Sequence, residues 1–139
     1  MRHASRRAPQ NARFVVAAAE CLPAELAGRV DEITVIFPWG SLLRGLVEPD
    51  GTILDGLARV LRPAATVEAL MSLTDRDGLT PIGAGTGADL ADVYLRHGLR
   101  ITAWRRATAD EIARADSSWA KRLDAARRRE VWLLRARLA

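Results

Sequence analysis

ITVIFPWGSLLRG, residues 33–45, is the stretch of the sequence that decides the fold class. Its first five residues are continuously apolar and mostly β-branched, which predicts a strand in a sheet covered on both faces, as in α/β folds. Trp39 follows Pro38 where this strand ends, Gly40 comes next, and a helix is expected to begin at Leu42. From position alone, the Trp39 ring either caps the end of the sheet or contacts a ligand there.

The rest of the chain alternates between strand and helix patterns. Further strands are predicted at 13–19, 66–73, 99–104 and 130–138, and helices at 53–61, at 88–97 and from Thr108 onward. Pro63 ends the first of these helices, and Gly98 is the natural C-cap of the second. Thr108 and Glu111 form a capping box at the start of the third. This alternation predicts an α/β layer architecture.

The composition indicates one cytoplasmic domain with unevenly distributed charge. With 139 residues, 49% of them hydrophobic, the chain is long enough for one globular domain. Cys21 is the single cysteine, and no apolar run approaches the ~20 residues that span a bilayer. Residues 14–98 carry six basic and 12 acidic side chains, whereas residues 99–139 carry 11 basic and five acidic ones. The arginine-rich ends either bind phosphate or reflect a GC-rich genome.

The glycine-rich GAGTG at residues 83–87 has the composition of a phosphate-binding loop. Such a loop needs a strand before it and a helix after it, so that backbone N–H groups and the helix N-terminus meet the ligand. The preceding DRDGLTPI at 75–82 is turn-rich and not strand-like. GAGTG is therefore a weak candidate for nucleotide binding, with a flexible surface loop as the alternative.

Three further motifs are specific enough to indicate a family. FVVAAAECLP at 14–23, FPWGSLLRG at 37–45 and SSWAKRL at 117–123 together resemble the aminoglycoside-resistance 16S ribosomal RNA adenine-N1 methyltransferases, a family of class I S-adenosylmethionine-dependent methyltransferases. The resemblance implies a Rossmann-like α/β sheet with an antiparallel last strand. Members of that family begin with a strand, a glycine-rich loop and a second strand, which nothing before Phe14 supplies. The sheet is therefore expected to be N-terminally truncated.

The resemblance also implies which residues hold the adenine. Trp39 would form one plate of a ring sandwich and Trp119 the other, whereas an unbroken helix over 108–129 would make Trp119 an ordinary core residue. Adenine N1 has an accessible lone pair, so its methylation needs positioning and no strong general base. Positive charge moves onto the purine as the methyl group arrives, and aromatic faces attract cations by roughly 0.5–2 kcal/mol. His3 and His97 are expected to have no chemical role.

S-adenosylmethionine is the cofactor that the resemblance implies. Ala19 and Glu20 match the strand-end pair that contacts the cofactor adenine in the family, and Ser41 and Ser117 match hydroxyl positions on the cofactor side. The residues alone leave other interpretations open. Glu20 could be an ordinary exposed carboxylate, and Ser41 could be the cap of the helix expected at Leu42. Trp104 and Trp132 fall inside strand patterns and are predicted to be core residues.

The implied partner is 16S ribosomal RNA in the small ribosomal subunit. Arg122, Arg127 and Arg129 match basic positions that clamp RNA phosphates in the family, with a solvated helix face as the alternative. Neither a metal nor a membrane is implied. The expected organisation is a basic tail at 1–12, a methyltransferase core at 13–107, an RNA-binding linker helix at 108–129 and a last strand at 130–138.

The function implied by the resemblance is methyl transfer to N1 of an adenine in the decoding site of 16S ribosomal RNA, which confers aminoglycoside resistance. The alternative is a truncated, catalytically inactive fragment that at most binds RNA through its basic C-terminal face. Strands missing from the sheet would also leave an open edge, which favours self-association.

Overall fold

The computed structural model describes residues 9–115 and 130–139, which contain one mixed sheet. The strands of this part of the chain are β1 Val30–Ile36, β2 Leu61–Met71, β3 Leu99–Arg106 and β4 Trp132–Leu138. Their order across the sheet is β1-β2-β4-β3. β1 and β2 are parallel, and β4 runs antiparallel to both of its neighbours. The predicted α/β class and the antiparallel last strand are confirmed.

Helices connect the strands at the places where the sequence predicts them. They are α1 Gly40–Val47, α2 Thr52–Val60, α3 Thr86–Arg96 and α4 Ala109–Arg114. Gly98 has a φ of 82° beyond the end of α3, a left-handed conformation that glycine adopts without steric cost. At the start of α4, the Glu111 N–H donates to the Thr108 hydroxyl, and the Thr108 N–H donates to the Glu111 carboxylate. None of the helices in residues 9–115 and 130–139 is long and apolar enough to cross a membrane.

The passage from α2 into β2 follows from Pro63. The helix ends at Val60, and β2 begins at once, earlier than the predicted residue 66. The register between β1 and β2 then shifts, from Val30 opposite Leu61 to Glu32 opposite Thr66. Proline has no N–H to donate to a strand ladder, so the chain bulges around it.

The core lies mainly on one face of the sheet, beneath α1, α2 and α3. Its fully buried side chains include Leu43, Leu46, Leu54, Tyr94, Leu99 and Leu134. A smaller cluster on the opposite face packs α4 against the sheet and consists of Phe37, Leu70, Ile112, Val131 and Leu133. The rings of Trp104 and Trp132 are stacked with centroids 5.5 Å apart. Both pack in the interior as predicted, Trp132 buried and Trp104 half-buried.

The prediction that the strand at 33–37 is covered on both faces is wrong. Within β1 only Val35 is buried, while Thr34 and Ile36 face outward. β1 is an edge strand: β2 lies on one side, and no strand pairs with its other side among the residues that the structure describes. The described part of α4, Ala109–Arg114, borders the outer face and leaves the side chains of Thr34 and Ile36 exposed. A β-branched run therefore formed the strand without the predicted burial.

The predicted buried strand at 13–19 is absent. Its apolar side chains are exposed instead, with Phe14 at 74% and Val16 at 90% of full exposure. The segment leads into a 3-10 turn at Ala19–Cys21. A strand is stable only when a neighbour accepts its backbone hydrogen bonds. None of the strands in 9–115 and 130–139 lies beside it, so strong β-propensity alone did not produce a strand.

Candidate functional site

The candidate site lies at the carboxyl end of β1, where two aromatic residues of the sequence motif, one on each side of Pro38, lie in different environments. Phe37 is buried, and its N–H donates to the Leu70 carbonyl at 2.9 Å. Its φ of 47° is unusual for a residue with a side chain and turns the backbone sharply. Pro38 is buried as well, whereas Trp39 keeps 78% of its surface exposed. The strained turn therefore anchors one ring in the core and presents the next to solvent.

The exposure of Trp39 distinguishes a ring that caps the end of the sheet from a ring that is open to a ligand. A tryptophan that capped the sheet end would lose most of its surface to the strands beneath it, and Trp39 does not. It is the N-cap residue of α1, with an extended backbone and no side-chain capping bond. Gly40 then begins the helix at a φ of 61°. The ring is thus held between a buried proline and a helix start, with its faces available to a planar ligand.

Trp39 borders an open cleft of about 470 Å³, within the range of small-molecule sites. The other lining residues are Gly40, Ser41, Leu43 and Arg44 from α1, and Arg76, Asp77 and Leu79 from the loop after β2. Asp77 shapes that loop, because its carboxylate accepts the N–H of Thr74 at 2.6 Å. Gly78 closes the turn at a φ of 63°. The cleft is therefore formed by two elements that follow parallel strands β1 and β2.

The structure places two of the predicted site residues, Trp39 and Ser41, in the cleft, and two others, Ala19 and Glu20, outside its lining. Ser41 lies beside Trp39 in the cleft, exposed and inside the first turn of α1. It is not the cap of the helix, since the cap position falls on Trp39, and that alternative is wrong. Ala19 and Glu20 lie on the 3-10 turn that packs against α2, where a Cβ on Gly56 would collide with the Ala19 carbonyl oxygen. Glu20 is exposed there.

The remaining predicted site residues fall outside the described part of the chain. They are Trp119, Ser117, Arg122, Arg127 and Arg129. Their roles stay predictions, as does the continuous helix over 108–129, of which the structure describes only α4. Among the described residues, Glu130 and Trp132 border a second cleft, which shares Leu79 with the first.

GAGTG is a packing element of α3. The Trp104 indole N–H donates to the Gly83 carbonyl at 2.7 Å, and the Gly83 N–H donates to the Thr86 hydroxyl at 2.9 Å. A Cβ on Gly87 would collide with the Trp104 side chain. The glycine therefore lets α3 approach the tryptophan closely. The loop is neither preceded by a strand nor free of tertiary contacts, so both sequence interpretations miss its role.

Sequence reasoning also missed three polar residues at this end of the sheet. Arg44 and Arg76 line the cleft beside Trp39. The hydroxyl of Ser72, just after β2, is buried and has no hydrogen-bond partner among the described residues. The signal for Arg44 was available, because it lies one helical turn after Gly40 on the same side of α1. Nothing local indicated that Arg76 would face it.

Solved structures show the fold class to which this arrangement belongs. The crystal structure of 16S rRNA methyltransferase KamB matches with a TM-score of 0.75 and 34% identity, over 88% of this chain and 60% of that one. A mutant of the 16S rRNA (adenine(1408)-N(1))-methyltransferase from Catenulisporales acidiphilia, solved with its cosubstrate SAM, also matches with a TM-score of 0.75, at 30% identity over 88% and 59% of the two chains. The fold is that of a class I methyltransferase, with the candidate site at the carboxyl end of a strand.

Sequence comparison identifies the family within that class. The model of the family NpmA: 16S rRNA (adenine(1408)-N(1))-methyltransferase matches residues 1–138. The chain belongs to this family. A 16S rRNA (adenine(1408)-N(1))-methyltransferase from Streptoalloteichus hindustanus is 37% identical over 127 residues, which make up 86% of this chain and 58% of the relative. The resemblance inferred from the sequence motifs is confirmed, and the chain spans a little more than half the length of such relatives.

Proposed function

We propose that this protein transfers a methyl group from S-adenosylmethionine to N1 of adenine 1408 in 16S ribosomal RNA, and so confers aminoglycoside resistance. The observation that carries the proposal is the 78% exposure of Trp39, held by a buried neighbour at the carboxyl end of β1. Exposing a large apolar ring on a rigid support costs stability and is expected where the ring binds a ligand. Family membership makes adenine the proposed ligand.

Trp39 acts by positioning in this proposal. The target adenine leaves the RNA stack and lies flat on the exposed indole face, which aims its N1 lone pair at the incoming methyl group. The purine gains positive charge as the bond forms. The indole face attracts that charge by roughly 0.5–2 kcal/mol, so stacking favours the transition state over the neutral base. Trp119 is the proposed second plate, and no residue is needed as a general base.

S-adenosylmethionine, when bound, supplies an electrophilic methyl group. The described residues offer polar groups of the kind that a nucleoside with an amino-acid tail requires. The exposed carboxylate of Glu20 can accept hydrogen bonds, and the exposed hydroxyl of Ser41 lies next to Trp39. We assign cofactor contacts to Ala19, Glu20, Ser41 and Ser117.

The RNA-binding part of the proposal concerns the basic C-terminal region. Arg122, Arg127 and Arg129 are the proposed phosphate contacts on 16S ribosomal RNA within the small subunit, which places the protein in the cytoplasm. The corresponding organisation is a basic tail at 1–12, a core at 13–107, an RNA-binding linker at 108–129 and a last strand at 130–138.

We also infer that the chain self-associates through the free edge of β1. The two edges of the sheet differ in charge. β3 carries Arg100, Arg105 and Arg106, which oppose edge-to-edge pairing, whereas β1 carries Asp31 and Glu32 near its start and no charge along the ITVI run that follows. The exposed Phe14 and Val16 add apolar surface nearby in the chain. An unprotected edge and exposed β-prone residues are the combination that promotes strand addition between copies.

Replacing Trp39 tests the proposed function directly. Trp39→Ala should lower N1-methylation of purified small subunits by about 100-fold, since the base loses the surface that aligns it. Trp39→Phe should keep part of the activity, because a smaller ring still stacks. Both variants should fold like the parent, as the ring is exposed. Methylation is measured by mass spectrometry of the target nucleotide, and binding of S-adenosylmethionine by calorimetry.

The inactive-fragment alternative predicts a different pattern. If the unaltered chain releases no heat with millimolar S-adenosylmethionine and methylates no RNA, the proposed activity is wrong for this chain. Salt-sensitive RNA binding in the same preparation would then favour a role in binding alone. Equal methylation by the parent and Trp39→Ala would remove Trp39 from the mechanism.

A further inference from the structure

We propose that Arg44 and Arg76 form a phosphate-binding pair beside Trp39, which holds the RNA backbone next to the nucleotide stacked on that ring. The inference rests on the proposed function for the identity of the RNA. The pair would be a second contact with the RNA backbone, in addition to the one proposed for the basic residues of the C-terminal region. It also explains why two arginines border an otherwise small and partly apolar cleft.

The two guanidinium groups reach the cleft from independent elements. Arg44 lies on α1, in the turn that follows Gly40, and Arg76 lies in the 3-10 turn Asp75–Asp77 after β2. Both line the same cleft as Trp39. α1 and the turn are each fixed at their base, α1 by its buried leucines and the turn by the bond between Asp77 and Thr74. The fold therefore sets the backbone positions from which the two arginines border the cleft.

Neither arginine is strongly engaged by an acid within the described residues. Arg44 contacts Glu48 at 3.8 Å, and its side chain remains 59% exposed. An exposed pair at that distance contributes little and is readily exchanged for another anion. Arg76 has no carboxylate within ion-pair distance in the part of the chain that the structure describes. Both cations are thus available to an incoming anion.

The neighbouring carboxylates are bound by their own loop. Asp77 accepts the N–H and the hydroxyl of Thr74, at 2.6 and 3.2 Å. Glu48 accepts the Thr80 N–H at 2.8 Å, and this hydrogen bond, with the nearby Arg44, holds the pKa of Glu48 below its usual value. These acids fix the loop geometry through their hydrogen bonds to Thr74 and Thr80. Arg44, Arg76 and Asp77 leave the cleft lining with a net positive charge.

The chemistry of the cleft fits a nucleotide within a strand. A flat ring binds the base, and planar guanidinium groups bind phosphate oxygens in pairs. A flipped nucleotide carries a phosphate on each side, so one arginine on α1 and one on the loop can contact the backbone while the base rests on Trp39. A free nucleotide has the same groups at one end only and would engage fewer of these contacts.

The test measures RNA affinity as a function of salt. A synthetic RNA hairpin with an unpaired adenine is titrated with the full chain between about 50 and about 200 mM salt. Arg44→Ala and Arg76→Ala should each reduce the slope of log K against log salt by about one phosphate contact and weaken binding most at low salt. Arg76→Lys should keep the slope and still lose affinity, because the charge remains while paired hydrogen bonding does not.

Arg96→Ala is the matched control, since Arg96 is an exposed arginine at the end of α3 and does not line the cleft. Slopes for the two cleft variants that equal that of Arg96→Ala would overturn the inference and leave the proposed function intact. Absence of hairpin binding by the parent chain would also overturn the inference, whereas the proposed function is decided separately by methylation of small subunits. Displacement of the hairpin by an equal concentration of adenosine monophosphate would show a site for free nucleotides, which contradicts an RNA clamp.

Discussion

Phe37 and Trp39 are two positions apart and lie in opposite environments, since the Phe37 ring is buried and the Trp39 ring is exposed. The sequence placed both at a strand end and singled out Trp39. It contained no sign that Phe37 would adopt a positive φ, which is rare for a bulky residue. That conformation depends on the small cluster that buries the Phe37 ring with Leu70 and Leu133. A composition-based interpretation of GAGTG failed for a related reason, because the contact with Trp104 comes from a distant strand.

Replacing Gly87 tests whether α3 depends on its close contact with Trp104. Gly87→Ala should lower the free energy of unfolding by about 1–3 kcal/mol, because the added methyl group collides with Trp104, even though alanine is the better helix former. Gly83→Ala is the control, since a Cβ there meets nothing within 4 Å, and it should change stability by less than about 0.5 kcal/mol. Urea unfolding measures both. An equal midpoint for the two variants would mean that α3 does not depend on close contact with Trp104.

At the scale of elements, caps and β-branched runs predicted most boundaries correctly, because these interactions join residues only a few positions apart. Thr108 and Glu111 locate the start of α4, and Gly98 lies just beyond the end of α3. The capping box also joins α4 to β3, since the Glu111 carboxylate accepts two hydrogen bonds from Arg105 at 2.7 and 3.0 Å. The bonds from Arg105 and from the Thr108 N–H lower the pKa of Glu111 to about 2.

This pKa shift predicts how the attachment of α4 responds to acid. A carboxyl group with a lowered pKa in the folded state stabilises the fold above its unfolded value of 4.5, and this stabilisation is lost as the pH falls towards about 2. Glu111→Gln should therefore be less stable than the parent by about 1 kcal/mol at neutral pH. The difference should shrink as the pH falls from 4.5 towards about 2. Urea unfolding at several pH values checks this. If Glu111→Gln remains less stable than the parent in acid, the lost stability comes from packing and not from the charge of Glu111.

At the scale of the whole molecule, the order of the strands decides which surfaces remain open. Within residues 9–115 and 130–139, β4 lies between β2 and β3, and β1 and β3 are the two outer strands of the sheet. The sequence predicted all of these strands but not their neighbours. It also predicted a strand at 13–19, which the structure lacks, because strand formation there depends on a partner and not on propensity. In the described part of the chain, the outer edge of β1 therefore has no strand partner, and Val16 stays exposed.

A charge placed on the open edge tests the proposed self-association. The parent chain should show concentration-dependent oligomers, and Thr34→Lys should shift them towards monomer, because lysine on an edge opposes strand addition. The lysine would lie opposite Glu68 in the register, and although Glu68 already pairs with Arg135 at 2.6 Å, its carboxylate offsets part of the added charge, so the fold should tolerate the change. Thr102→Lys on the arginine-rich β3 edge is the control and should change little. Sedimentation velocity measures all three, and a monomeric parent at every concentration would refute the self-association.

The sequence by itself determined the features that arise from neighbouring residues: the α/β class, the helix caps, the strand at 33–37 and the position of Trp39 at its end. Its motifs also indicated the family correctly. Only the tertiary structure decided that 13–19 stays unpaired, that GAGTG packs on Trp104, and that Arg44 and Arg76 line one cleft with Trp39. The physical reason is that caps and β-propensity act over a few residues, whereas pairing, burial and cleft formation depend on which distant segments the folded chain brings together.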